Sequence, residues 1–162
     1  MTGKQSFGFY FTVDLSVTIV VIACVVSLFV STINESRKRV EVASATAEIM
    51  GIYRTHMSTY YALHGAWPKD NEELQDMFPE QMRKLTLSMA ENIRIADGAI
   101  TFDLRRRLAG KSITLHPAVP AQDPLGPVKW VAGPKSLSQD WAMAGADHTT
   151  VDGDYISRIL KR

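Results

Sequence analysis

The chain has 162 residues, 46% hydrophobic and 22% charged, with net charge +1 and one cysteine. That length holds one ordinary domain, or a smaller domain with an appendage. The balance excludes binding to nucleic acid by bulk basicity and an acidic disordered tail, and the single cysteine excludes an internal disulfide. A mean hydropathy of −0.05 conceals strong segregation, because the apolar residues gather near the start.

Leu15 to Asn34 carry no charge, with Asp14 before them and Glu35 after. Twenty helical residues span about 30 Å, the thickness of a bilayer's hydrocarbon core. Twelve of the twenty are Leu, Ile, Val or Phe. At roughly −0.4 kcal/mol each they favour insertion by about 5 kcal/mol. The run Val17 to Ile22 is rich in β-branched residues, which weaken a helix in water, whereas in lipid the backbone has no alternative. A cleaved secretory signal is a rival reading, but the run exceeds a usual signal core and no clear cleavage site follows. A buried core helix is the other rival. Cys24 reads as a small apolar filler.

After Glu35-Ser36-Arg37-Lys38-Arg39 there is no Pro or Gly until Gly51. Val40, Ala43, Ala47, Met50, Tyr53, Met57 and Tyr60 follow gaps of three and four, which predicts one apolar stripe on a helix. Arg37, Glu41, Glu48 and Arg54 then face solvent. Gly65 and Pro68 end the pattern, so one helix of roughly 80 Å is expected from about Phe11 to Leu63.

From Gly65 the composition is that of a small soluble domain. Trp67 to Asn71 reads as a loop, and Glu72 to Leu87 as a short charged helix interrupted by Pro79. Ile93 and Ile95, then Ile100, Phe102 and Leu104, alternate with polar residues around Asp97-Gly98, a strong hairpin signal. A third strand is expected over Lys111 to His116, a Pro-rich loop over Pro117 to Pro127, and a fourth strand over Val128 to Ala132. The expected fold class is α+β, a four-stranded antiparallel sheet over about 92–132 with one face covered by the helix stripe and the other open to water. Gly133 to Arg162 reads as mostly irregular, pinned to the sheet by Trp141 and Tyr155.

Several stretches carry a family resemblance: Tyr60-Tyr61, His64-Gly65-Ala66-Trp67-Pro68, Gly110-Lys111-Ser112-Ile113-Thr114-Leu115, Val128 to Gly133, Gly145-Ala146-Asp147-His148-Thr149-Thr150-Val151 and Tyr155-Ile156. Together with the order of elements, they resemble the type IV pilins and pilin-like proteins across nearly the whole chain. The resemblance implies a structural subunit of a type IV pilus or a related secretion or competence machine, with no catalysis. It implies a leader over 1–8, a helix over 9–64 and a globular domain over 65–162. It also implies cleavage by a prepilin peptidase between Gly8 and Phe9, N-methylation there, and assembly with other pilins. The domain would lie in the periplasm or in an extracellular pilus, with the helix in the inner membrane.

The chain departs from the family pattern in ways that favour a minor or accessory pilin. Ala132 and Leu160 stand where relatives with this C-terminus place a disulfide. The family's assembly glutamate is the fifth residue after cleavage; here that residue is Val13, and Asp14 follows it. Counting from Tyr10 makes Asp14 the fifth, but then Phe9 replaces the glycine. One position turns a helical side chain by about 100°. Lys/Arg placement points the other way on topology: Lys4 precedes the span and Arg37, Lys38 and Arg39 follow it, which by the positive-inside rule puts the domain in the cytoplasm. The alternative reading is therefore an uncleaved bitopic inner-membrane protein that regulates or chaperones pilin assembly.

No Walker, G-x-S-x-G, H-E-x-x-H or C-x-x-C pattern occurs, and no enzyme, cofactor or metal is expected. His56 and His64 are two turns apart without a third ligand, and Asp147, His148, Asp152 and Asp154 read as a solvated acidic turn. Arg105, Arg106 and Arg107 join two strands and offer a nucleic-acid contact through phosphates. One triplet in a near-neutral chain argues instead for a solvated hairpin tip.

Overall fold

The computed structural model describes residues 5–83, 86–134 and 137–156. The first helix, α1 (Gln5–His64), runs through two compact units, 1–37 and 38–162. In the first unit every side chain from Leu15 to Asn34 is exposed. Thr32 Oγ1 donates to the Leu28 carbonyl at 2.9 Å, so this hydroxyl is satisfied within the helix itself.

In the second unit, α1 buries a stripe made of Val42, Ala45, Ile49, Tyr53 and Met57. The gaps are three, four, four and four, which keeps the side chains on one face. The expected stripe is right from Met50 onward, with Met50 and Tyr60 packed on the core, and wrong before it. Val40 is 64% exposed, Ala43 and Ala47 are exposed, and Glu41, expected in solvent, is 6% exposed. The cause is a polar pairing rather than an apolar one. The Glu41 carboxylate accepts from the N–H groups of Arg106 (3.1 Å), Arg107 (3.0 Å) and Leu108 (3.3 Å). A buried carboxylate with that many amide donors satisfies groups that would otherwise be unpaired on both sides. Glu48 is also corrected: half-buried, it accepts from Ser88 N–H at 2.8 Å, Ser88 Oγ at 3.0 Å and Met89 N–H at 2.9 Å.

Gly65 N–H returns to the Tyr61 carbonyl at 2.8 Å and closes α1. The helix α2 (Asn71–Met77) is capped by Asp70, whose Oδ1 accepts from Glu73 N–H at 3.0 Å. Glu73 reaches back to Lys69 N–H at 2.9 Å, so its carboxylate serves the same helix start. Pro79 opens a separate helix, α3 (Pro79–Arg83), where the sequence breaks the pattern.

The sheet runs β1 (Ala90–Ala96), β2 (Ala99–Leu104), β3 (Ser112–Pro120), β4 (Lys129–Ala132) in that spatial order, all antiparallel. The β1–β2 hairpin turns at Asp97 and Gly98, both at positive φ (47° and 85°), as the Asp-Gly pair predicts. Ile100, Phe102 and Leu104 of β2, Ile113 and Leu115 of β3 and Trp130 of β4 share one core with the α1 stripe.

Two expectations fail on β3. The strand continues through Pro117 to Pro120 instead of ending at His116, and a fifth strand, β5 (Trp141–Met143), pairs with it. Ala118 already faces Lys129 on one edge, so β5 takes the opposite edge, where β2 leaves at Leu115. Pro117 has no N–H to give there. Its carbonyl accepts from Ala144 N–H at 3.0 Å, while His116 Nδ1 lies 2.9 Å from the Ala144 carbonyl. A carbonyl only accepts, so this Nδ1 carries the proton and replaces the missing proline donor.

The second face of the sheet is open to water at β1, where Arg94 is exposed, but not over β2 and β3. Thr101, Thr114 and His116 are buried there beneath the chain after β5. Thr114 Oγ1 accepts from His148 N–H at 3.0 Å and lies 3.0 Å from Thr101 Oγ1, and Thr114 N–H donates to Thr149 Oγ1 at 3.0 Å. Gly145 (φ 71°) makes the crossing close, since a Cβ would collide with Ala99 and with the Ala96 carbonyl. Trp141 lies under Lys129 Nζ at 3.9 Å, and Tyr155, within the short helix α4 (Gly153–Ile156), packs on the core. Ala132 is buried, and Leu160 lies outside the described residues.

Candidate functional site

The candidate site is the apolar stretch of α1. Each large apolar side chain from Leu15 to Ile33 is between 43% and 70% exposed, on all sides of the helix. An amphipathic helix of a soluble domain hides one stripe, whereas this stretch hides none. Exposed apolar surface of this extent is compatible with insertion into a membrane. The helix is long and apolar enough to cross a membrane. Cys24 is exposed on the same surface.

Gly8, Phe9 and Asp14 fall in the first turns of α1, which begins at Gln5. Their side-chain environments lie outside what the structure describes.

Arg105, Arg106 and Arg107 follow β2 directly and are exposed, as a hairpin tip would be. The tip is tethered, however. Three consecutive amides, those of residues 106–108, bind Glu41. Arg105 donates to the Leu87 carbonyl at 2.8 Å and pairs with Glu91 at 3.2 Å. Glu41 reads in the sequence as a solvent-facing residue off the apolar stripe, and nothing local marks it, because its amide partners lie 65 residues or more away.

Among the described residues no group of three or more His, Cys, Asp and Glu side chains converges as a metal site. His56 Nδ1 and His64 Nδ1 each lie within 3.0 Å of a carbonyl of their own helix, Ile52 and Tyr60. Asp147 Oδ1 accepts from Thr149 N–H and Oγ1, and Asp152 Oδ1 from Asp154 N–H. These carboxylates organise turns.

Two carboxylates therefore hold α1 of the second unit to the loops beside the sheet, and a third holds the α1–α2 junction. That third is Glu73, which accepts from Lys69 N–H and from Tyr60 Oη, each at 2.9 Å. The Lys69 amide and then the Tyr60 hydroxyl keep its carboxyl below the usual glutamate range. No family model matches the chain, and no curated protein matches it in sequence.

Proposed function

We propose that the chain is a pilin-like structural subunit of a type IV pilus or a related secretion or competence machine, in a minor or accessory role. The observation that carries this reading is one helix with two surfaces: a charge-free stretch exposed on every side, then a stripe packed on an antiparallel sheet. The work of such a subunit is assembly. Its apolar helix leaves the bilayer by exchanging lipid for neighbouring helices of like surface, and no bond is made or broken. Asp14, at the entry to the apolar stretch, pairs with a neighbour's free amine in this scheme. That pairing offsets its desolvation and sets the stagger between subunits.

Co-purification tests the proposal. The wild-type chain and Asp14→Glu are expected with pilus fibres or with other pilins, and Asp14→Ala at several-fold lower yield with unchanged membrane insertion. Absence of the wild-type chain from both fibres and the assembly complex contradicts the reading.

One observation favours the second reading, an uncleaved bitopic regulator or chaperone of pilin assembly. The described helix already includes Gln5, so the bond between Gly8 and Phe9 lies within it, and a peptidase would have to unwind that turn.

A further inference from the structure

His116 is fully buried on β3, and its two ring nitrogens stand in different surroundings. Nδ1 donates to the Ala144 carbonyl at 2.9 Å, so in the neutral ring Nε2 is a bare acceptor. Nε2 is closed off from solvent without a hydrogen-bond partner, and it faces Asp147 Oδ1 at 3.6 Å. Two acceptors thus meet beneath the chain that crosses the sheet, which buried polar atoms rarely do. Asp147 is held in that position, because the same Oδ1 accepts from Thr149 N–H at 3.1 Å and from Thr149 Oγ1 at 2.6 Å. The other charged or titratable groups around the ring are engaged elsewhere. Val131 stands opposite His116 on β4, and Lys129, two residues away, holds its Nζ over the Trp141 ring. His148, on the crossing, has an exposed side chain and gives its N–H to Thr114. β2 offers Ala99 and Thr101 on this face, and β5 consists of Trp141, Ala142 and Met143, none of which titrates.

We propose that His116 and Asp147 form a proton-operated latch on the crossing over residues 144–150. When Nε2 takes up a proton from solvent, the two facing acceptors become a donor and an acceptor of opposite charge. The ring then donates at both ends, from Nδ1 to the Ala144 carbonyl and from Nε2 to Asp147 Oδ1, and so grips the crossing at two points three residues apart. The carboxylate offsets the cost of burying the cation, and the low local dielectric strengthens the bond between them. The pair exists only while the crossing lies on the sheet, so the crossing is held more firmly as pH falls. Two backbone hydrogen bonds report on that hold: Ala144 N–H to the Pro117 carbonyl at 3.0 Å and Thr150 N–H to the Ser112 carbonyl at 2.9 Å. Every group involved belongs to the second unit, so the latch acts whether or not the apolar stretch of α1 is inserted or assembled.

The test uses the full chain in an uncharged detergent between about pH 8 and pH 5, the range in which imidazoles take up a proton. Hydrogen exchange at the Ala144 and Thr150 amides is corrected for the intrinsic rate at each pH and read against the amides of residues 106–108, which Glu41 holds. In the wild type the relative protection of the crossing is expected to rise about tenfold on acidification. His116→Asn keeps a donor where Nδ1 stands and removes Nε2, so its protection is expected to stay flat. Asp147→Asn supplies an amide that donates to the neutral Nε2, and its protection is expected to be the same at both ends of the range. Wild-type protection that stays flat or falls on acidification overturns the proposal, as does a rise that survives either substitution. Nitrogen-15 shifts of the wild-type imidazole are a second readout that needs no variant to fold: a protonated Nε2 at the acid end supports the latch, and an unprotonated one there overturns it.

Discussion

Two stretches of α1 use one secondary structure for opposite ends. Residues 15–34 expose every large apolar side chain, whereas residues 41–60 bury a stripe in a core shared with the sheet. Most helical stability in water comes from packing an apolar face. The second stretch has that packing within the chain. The first has none there and its β-branched residues weaken a helix in water, whereas in a bilayer, which it is long and apolar enough to cross, the backbone has no alternative to the helix. The contrast separates what the chain folds by itself from what it leaves for its surroundings.

The largest effect is expected where the surroundings supply the partner. Val20→Arg with Val26→Arg adds about 6 kcal/mol to insertion, against about 5 kcal/mol favouring it, so the double variant should leave the membrane fraction under carbonate wash. Retention of that variant in the membrane would erase the contrast between the two stretches. On the other side, Phe102→Ala empties a fully buried site and should destabilise the second unit by about 3–5 kcal/mol. Urea unfolding in detergent should show the loss in the sheet, with helical signal from the apolar stretch retained. Melting of both together would show that the stretches do not behave separately.

Smaller effects sharpen the second unit alone. Glu41→Ala leaves three amides without their carboxylate, at a cost of about 1–3 kcal/mol, and should speed hydrogen exchange at residues 106–108. Unchanged protection there would mean that the loop holds itself. The smallest effect concerns Glu73. Its carboxyl is lowered in the folded state, so its contribution is present above the unfolded glutamate value of about 4.3 and fades as pH falls through the lower folded value. The wild type should therefore lose a slight advantage over Glu73→Gln in thermal melting below about pH 4. An advantage that persists at lower pH contradicts the Tyr60–Glu73–Lys69 arrangement.

Local chemistry made several elements legible. The charge-free run is visible because bilayer thickness sets a length, and the hairpin because Asp97 and Gly98 both need positive φ. The stripe was misplaced before Met50 because an apolar count passes over a buried glutamate whose partners come from β2's far end. The extension of β3 was hidden by Pro117 and Pro120, which read as a loop. Pro117 is tolerated because the edge it faces has a substitute donor in His116. The cover on the outer face depends on where residues 144–150 cross, and nothing local announces it. Among candidate residues, Arg105 to Arg107 were legible as an exposed triplet but their tether was not. Gly8, Phe9 and Asp14 stood out through family resemblance and the edge of the apolar run.

The N-terminus of the chain recovered from membranes reports most directly on the proposal that α1 belongs to a processed, pilin-like subunit. Intact-mass and peptide mass spectrometry should find a chain that begins at an N-methylated Phe9, with residues 1–8 removed. A chain that retains Met1 and carries no methyl group at Phe9 would contradict the claim and leave the uncleaved regulator in its place.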